Sequence, residues 1–523
     1  MSADSQPQEP TTDAVEELFA MREAIRRDMG GAAKVAKLRE QGGRTARDWI
    51  GGLLDPHSFT EIGTFVRSER PEERPSTPGD SQIGGHGLIA GRPVSVMAND
   101  LTVKGGSGSR ASARKEERIY DQAMRFGNPY VLFGQAGGAR VKDLLGSERM
   151  AQGAGIGVMA ARERHIPMVT AIVGRSYGDS SFTAACSDFV VQLRGTVMAV
   201  SSPRVIQVAT GETVDEQELG GVDVHGDKTG QIDLAVDTQD EVLAAVRRFL
   251  SFMPDNGRTV PARRPSNGVR PIPELRTLAP SERRRGYDMR KVIGKLVDEG
   301  DFMEIKPRFA RSLITALARI DGRVVGVLAN QPMQQGGAMT PDACDKAVSF
   351  LALCDSFHIP LVFLTDTPGF LVGRQVEHAR LLHKTVMLNQ ALMQVGVPML
   401  TFVLRKAYGL AYFAMAGGRI GSIYMCGWPT AEISFMDPEV GANVLYAPAL
   451  EQLEGEARAQ EAARLAKEIS NATTPYAAAV GGGMDEVIDP ADTPLLIAQA
   501  LDRMMANYDA HRIRRLANWP TCL

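Results

Sequence analysis

At 523 residues the chain is about twice the length at which a single hydrophobic core stops growing, roughly 250 to 300 residues, which excludes one simple domain and favours two. Its 44% apolar and 23% charged residues exclude a disordered or fibrous chain, and its 53 glycines point to many tight turns or close backbone approaches. A formal net charge of −3 carries no nucleic-acid footprint.

The N-terminal stretch MSADSQPQEPTTDAVEE is polar and acidic where a leader needs a basic start and an apolar run, and no apolar run reaches about 18 residues. A soluble cytoplasmic protein without a membrane span is expected. Residues 1 to about 13 read as disordered and 14 to 40 as helical, rich in Ala, Glu, Arg and Lys, so that 1–40 forms an added arm. A first domain is expected over 41–255. The segment from Pro254 to Gly286, rich in Pro and Arg with little apolar periodicity, supplies a linker over 256–286. A second domain follows over 287–523. Cys186, Cys344, Cys354, Cys426 and Cys522 are too scattered for a zinc site and too few for a disulfide scaffold, which suits a reducing compartment.

The second half repeats the first at a fixed offset. GRPVSVMAND from Gly91 matches GRVVGVLANQ from Gly322, and 322 minus 91 is 231. The same offset relates FGNPYVLF from Phe126 to FHIPLVFL from Phe357, Pro167 to Pro398, and Tyr177-Gly178 to Tyr408-Gly409. IGGLLDPHSFTEI from Ile50 matches IGKLVDEGDFMEI from Ile293 at 243.

Within each copy, apolar β-rich runs (Val94 to Met97, Tyr130 to Phe133, Met168 to Val173 and their partners) alternate with helix-like segments, Arg114 to Met124 and Asp345 to Cys354 among them. That is an α/β pattern. The strands end in glycines: Gly105, Gly106, Gly137, Gly138, Gly174 and Gly178, then Gly336, Gly337, Gly369 and Gly409. Glycine between a strand and a helix lets backbone N–H groups approach a ligand, and the helix start favours negative charge. Stabilising an enolate or tetrahedral oxyanion needs two such donors on one oxygen. GRSYGDSSF (Gly174 to Phe182) and RKAYGLAYF (Arg405 to Phe413) are equivalent candidates; the plainer alternative is that Gly178 and Gly409 only allow close helix–strand packing.

Gly174 to Gly178 also fits G-x-S-x-G, with Ser176 as a nucleophile. The repeat carries Ala407 at that position, and no motif nearby supplies an Asp or Glu and a His. No phosphate loop, HExxH or metal-ligand spacing of histidines occurs, and His225, His378 and His383 read as surface or structural. Lys104, Arg110, Arg114 and Lys115 follow a strand and either meet ligand phosphates or line a solvated helix face.

Taken together and in order, several blocks resemble the carboxyltransferase (β) subunits of biotin-dependent acyl-CoA carboxylases, of the propionyl-CoA and methylcrotonyl-CoA types. They are ANDLTVKGGS (Ala98 to Ser107), AGGAR (Ala136 to Arg140), TGETV (Thr210 to Val214) and ELGG (Glu218 to Gly221), followed by YDMRKVI (Tyr287 to Ile293) and ANQP (Ala329 to Pro332). DTPGF (Asp366 to Phe370), RKAYG (Arg405 to Gly409), WPTAEI (Trp428 to Ile433) and the block Pro475 to Pro490 complete the set.

The resemblance implies tandem crotonase-like ββα-spiral domains, the first for acyl-CoA and the second for biotin, in a homo-oligomer, a hexamer of head-to-tail dimers. It implies carboxyl transfer from carboxybiotin to the α-carbon of an acyl-CoA, with oxyanion amides near Gly178 and Asp179 and at Leu410 and Ala411. Gly105, Gly106, Gly137, Gly138 and Ala139 would line the CoA path, Arg175, Phe182 and Phe413 the acyl group, and Gly369, Phe370 and Gly409 the biotin. AMRF (Ala123 to Phe126) has Arg where a biotinylation motif has lysine, so a separate biotinylated biotin-carboxylase subunit is implied. The chain departs from the family's pattern at Asp179 and Leu410, each at a usual glycine, at Gln135, a usual Asp, and in the stretch after DTPGF. These departures keep two alternatives open: an acyl-CoA decarboxylase or transcarboxylase on the same scaffold, and a catalytically impaired structural subunit.

Overall fold

A computed structural model describes residues 12–147, 151, 159, 161, 163–418 and 420–519. The disorder expected for the first residues lies outside the described residues for 1–11, as does Cys522; Thr12 and Asp13 already open the helix Thr12–Asp28. Two compact units make up the chain. One comprises Met1–Arg162, Met168–Val224 and Ala235–Arg247; the other Glu163–Pro167, His225–Leu234 and Arg248–Leu523. The Pro-rich segment groups with the second unit, where Leu275 is buried and Ile272 N–H donates to Ala491 O at 2.8 Å. Among the described residues no helix is long and apolar enough to cross a membrane, and no group of three or more His, Cys, Asp or Glu is placed to hold a metal.

The first unit holds β1 (Thr60–Glu61), β2 (Gln82–Ile89), β3 (Arg92–Asn99), β4 (Tyr130–Gly134), β5 (Met168–Ile172), β6 (Arg175–Tyr177), β7 (Phe189–Leu193), β8 (Val197–Ala199) and β9 (Leu234–Val236). Their main sheet runs β1-β2-β3-β4-β5-β7-β9, and β6 pairs with β8 beside it. The second holds β10 (Phe302–Ile305), β11 (Leu313–Ile320), β12 (Arg323–Asn330), β13 (Leu361–Thr367), β14 (Met399–Tyr408), β15 (Tyr424–Gly427), β16 (Glu432–Ser434) and β17 (Glu486–Val487). Its order is β10-β11-β12-β13-β14-β15-β17, with β16 paired to β14.

Each sheet opens with an antiparallel hairpin and continues parallel. The two-residue hairpin turns Ala90-Gly91 and Asp321-Gly322 have positive φ at both positions, the geometry that matches strand twist. The parallel strands β4, β5, β13 and β14 are buried along their whole length, because crossover helices cover both faces of a parallel sheet. This is why they read as unbroken apolar runs.

The crossover helix Arg110–Phe126 starts at Ser109, whose hydroxyl accepts from the amides of Ala111 and Ser112, and stops at left-handed Gly127. Its counterpart Pro341–Ser356 is capped by Thr340 and carries Pro341 in its first turn. Strands and helices therefore recur at the offset read from the sequence, down to the short 3-10 turns Lys104–Gly106 and Gln335–Gly337.

Candidate active site

In each unit three loops from the ends of parallel strands meet. In the first, Gly108 N–H donates to Gly138 O at 3.0 Å and Arg140 N–H to Gly108 O at 2.7 Å, while Gly137 N–H donates to Gly105 O at 3.1 Å. In the second, Met339 N–H donates to Gly369 O at 3.0 Å and Leu371 N–H to Met339 O at 2.8 Å. The bridges Gly108 to Ala139 and Met339 to Phe370 occupy equivalent positions. Asn99 Oδ1 accepts from Gln135 N–H and Asn330 Oδ1 from Asp366 N–H, each at 3.1 Å.

The third loop enters at the tyrosines. A Cβ on Gly138 would stand 3.6 Å from Tyr177 O, and one on Gly369 3.8 Å from Tyr408 O. The next residues, Gly178 and Gly409, have φ of 68° and 58°, turning the chain into the helices Asp179–Cys186 and Gly409–Ala414. Gly105, Gly106, Gly137, Gly138, Ala139, Gly178 and Asp179 thus form one corner, and Gly369, Phe370, Gly409, Leu410 and Ala411 another, each within its own unit.

At a helix start the first amides have no intrahelical acceptor. In the first corner the opening helical bond is Phe182 N–H to Gly178 O at 2.9 Å, so the amides of Asp179, Ser180 and Ser181 precede it. Gly178 itself is a correction to the expected donor set: its N–H donates to Ala199 O at 3.1 Å. In the second corner the amides of Leu410 and Ala411, equivalent to those of Asp179 and Ser180, stand in the first turn of their helix. Such amides, aimed beside a glycine-lined gap, can hold an anionic oxygen without any side chain.

Arg175, assigned by the resemblance to the acyl group, donates through Nε to Glu216 at 2.8 Å, where Tyr177 OH also donates at 2.9 Å. Tyr408 OH donates to Glu432 at 2.6 Å, and Arg283 Nε lies 2.9 Å from the same carboxylate. Burial and the bonded carboxylates raise both tyrosines above their ordinary value, so both remain neutral donors that brace the strand ends. Glu216 and Glu432 went unnoticed in the sequence because their spacing from the tyrosines differs, 39 residues against 24.

Phe182 is exposed on its helix, whereas Phe413 is half-buried against a cluster that includes Val403, Ala407, Tyr412 and Met425. The cationic group also needs correction. Lys104 pairs with Glu73 at 2.8 Å, Arg110 and Arg114 pair with Glu69, and Lys115 is buried, donating to the carbonyls of Gln82 and Gly79. Neither a phosphate site nor a solvated face describes Lys115. Ser176 is fully buried, with Ser180 Oγ at 2.5 Å and Ser181 as its hydroxyl partners. It has neither the exposure nor the base of a nucleophile.

A side-chain network missed in the sequence anchors the first corner. Buried Arg140 bonds Asp80 at 2.7 Å, Asp143 at 2.8 Å and the carbonyl of Ser107 at 3.0 Å, and Asp80 in turn accepts from Ser109. The signal was available in AGGAR, whose arginine is otherwise unexplained by a backbone-amide site.

Comparison with known proteins gives a concordant result. A family model described as carboxyl transferase domain matches residues 37–517. The chain is 37% identical over 516 residues to the methylmalonyl-CoA carboxyltransferase 12S subunit of Propionibacterium freudenreichii subsp. shermanii, covering 97% of each chain. It is 35% identical to the propionyl-CoA carboxylase carboxyltransferase subunit of Haloferax mediterranei, over 92% of this chain and 94% of that one. Among solved structures, a transcarboxylase 12S hexamer with hydrolysed methylmalonyl-coenzyme A bound matches with a TM-score of 0.89 at 36% identity, covering 97% of this chain and 98% of the other. The fold is therefore the tandem crotonase fold, as the family resemblance implies.

Proposed function

We infer that this chain, which belongs to the carboxyl transferase domain family, is the carboxyltransferase of a biotin-dependent acyl-CoA carboxylase, moving a carboxyl group to the α-carbon of an acyl-CoA. The observation that carries this reading is the duplicated corner: twice in one chain, a run of helix-start amides stands beside a left-handed glycine of a neighbouring loop, Gly138 in one case and Gly369 in the other. Two corners suit a reaction in which negative charge develops on two partners.

The first corner is assigned to acyl-CoA. Gly105, Gly106, Gly137, Gly138 and Ala139 line the path of the thioester arm, and the amides of Asp179 and Ser180 stabilise the thioester enolate oxygen. The second is assigned to biotin, carried on a separate subunit. When bound, biotin supplies the activated carboxyl group. The residues fit such a ring: amides of Leu410 and Ala411 for its ureido oxygen, the loop Gly369-Phe370 and Gly409 beside it, and an exposed apolar surface at Leu410 and Val372. This chain's part is to orient both partners and hold the developing charge. A side-chain base is not required of it, which agrees with corners built from backbone. The domain division at 41–255 and 287–523 follows this assignment, as does a hexameric assembly in which each active site draws on two chains.

The test is incorporation of labelled bicarbonate into a panel of acyl-CoAs by the full chain, with ATP and the biotinylated biotin-carboxylase subunit from the same source. Acid-stable label that requires both proteins is expected. With an active partner, no label in short, branched or long acyl-CoAs would overturn the carboxylase assignment.

A further inference from the structure

The two corner helices differ chemically at one outward position. Residues three apart share a helix face, and the second helix presents Leu410, 60% exposed, followed by Phe413. At the equivalent places the first presents Asp179 and Phe182, both exposed. Asp179 is not simply a surface acid. Its Oδ2 comes within 3.7 Å of the point a Cβ on Gly108 would occupy, and Gly108 is the residue that ties the glycine loops together. The carboxylate therefore sits at the lip of the cradle, and its backbone N–H is the first amide of the corner.

Its surroundings are acidic. Glu116 and Glu117 lie on the helix Arg110–Phe126, and buried Glu116 accepts from Gln82 Nε2 at 3.0 Å and from Tyr130 OH at 3.3 Å. The nearby cations are engaged elsewhere: Lys104 by Glu73, Arg110 and Arg114 by Glu69, Lys115 by backbone carbonyls.

We propose that the Asp179 side chain makes the first corner discriminate against acyl-CoAs that already carry a carboxylate on the α-carbon, so that it favours the uncarboxylated acyl-CoA over the carboxylated product. The proposal deepens, and rests on, the assignment of the first corner to acyl-CoA. The carbon of an α-carboxylate is two bonds removed from the thioester carbon whose oxygen the corner amides hold, which brings it close to Asp179. Like charges about 5 Å apart in partly solvated surroundings weaken binding about tenfold. The overall equilibrium of the reaction is untouched; what shifts is the relative affinity of the two thioesters. Burial, with the charge of Asp179 adding, pushes Glu116 up to about 8. Desolvation of its carboxyl end, turned in beside Gly108, and the charge of Glu117 raise Asp179 as well, so the discrimination fades on acidification.

The experiment measures dissociation constants of propionyl-CoA and methylmalonyl-CoA for the full chain, the coenzyme A portion being common to both. Wild type is compared with Asp179→Asn, Asp179→Leu and Leu410→Asp at pH 8, and wild type alone is repeated at pH 5.5. The ratio of methylmalonyl-CoA to propionyl-CoA dissociation constants is expected to fall about tenfold in both Asp179 variants, to contract in wild type at pH 5.5, and to be unmoved by Leu410→Asp. If both thioesters bind and the ratio is the same in wild type and the Asp179 variants, the proposal is overturned while the acyl-CoA assignment stands. If Leu410→Asp moves the ratio and Asp179→Asn does not, the corners are assigned the wrong way round. If neither thioester binds the folded wild type, the acyl-CoA reading fails and the proposal with it.

Discussion

Arg405 donates through Nε to Asp366 Oδ2 at 2.8 Å, with both side chains removed from solvent. The same guanidinium lies over the Tyr287 ring and reaches the carbonyls of Pro280, Glu282 and Arg285. One arginine thereby fastens the strand end that leads into the second corner to the residues that precede the second copy. Arg405→Met leaves the Asp366 carboxylate buried with Lys406, 3.3 Å away, as its remaining cation. A loss of about 3 kcal/mol is expected in denaturant unfolding. Adding Asp366→Asn should recover part of it, since the buried carboxylate that lost its arginine is then neutral. Additive losses in the double variant would show that the pair is not coupled.

Gly106 and Gly337 make the closest approach in each corner. A Cβ on either would stand 2.5 Å from a carbonyl oxygen, that of Gln135 or of Asp366, and both residues have positive φ, 73° and 82°. Alanine at either place must push back the very loop that carries Gly137 and Gly138, or Gly369. The expectation is a folded protein, by circular dichroism, whose carboxyl transfer falls about 100-fold, the scale set when positioning in a site slips by an ångström. Near-normal turnover in Gly106→Ala would show that this loop does not form the site.

Much of the fold was legible because duplication turns single-residue noise into a repeated signal: β3 and β12 begin 231 residues apart, at Arg92 and Arg323, as the alignment of Gly91 with Gly322 requires. The corners were legible as strand–glycine–helix junctions. Partners set by tertiary placement were not. Glu216 braces Tyr177 and Glu432 braces Tyr408, but no common spacing connects them. The pairing of Arg175 with Glu216 was hidden for the same reason. Gln135 illustrates the limit differently. In the sequence it is only a departure from Asp; in the structure it fills the space beside Gly174, where a Cβ would stand 2.8 Å from Gln135 Cβ, whereas the second copy has the Asp366 and Arg405 pair at these positions.

Ser176→Ala separates the backbone-amide site from a serine hydrolase. The hydroxyl is buried among Ser180 and Ser181, and Ala407 already fills the equivalent place in the second copy. Transfer activity within about threefold of wild type is expected, with a stability loss of about 1 kcal/mol for the lost hydrogen bonds. Abolition of turnover in a variant of near-normal stability would return the serine to the mechanism.

The last prediction concerns pH and a lysine the chemistry does not use. Lys346 is 1% exposed, and its Nζ donates to Phe309 O at 2.9 Å and Leu313 O at 2.6 Å. A neutral amine has two N–H donors, enough for both carbonyls, so the fold can be satisfied without the charge. Burial lowers its ammonium from 10.5 to about 7. Between these values the unfolded chain binds a proton that the folded chain does not, so stability rises with pH across the window; below about 7 both states are protonated and the full cost of burying the charge is felt. Lys346→Met removes this titration and leaves two carbonyls without a donor. The variant should therefore lie closest to wild type in stability below pH 7, and the gap should widen by roughly 2 to 3 kcal/mol between pH 7 and pH 9. Denaturant unfolding of both proteins across that range checks it. Parallel stability profiles would mean that Lys346 titrates alike in the folded and unfolded chain.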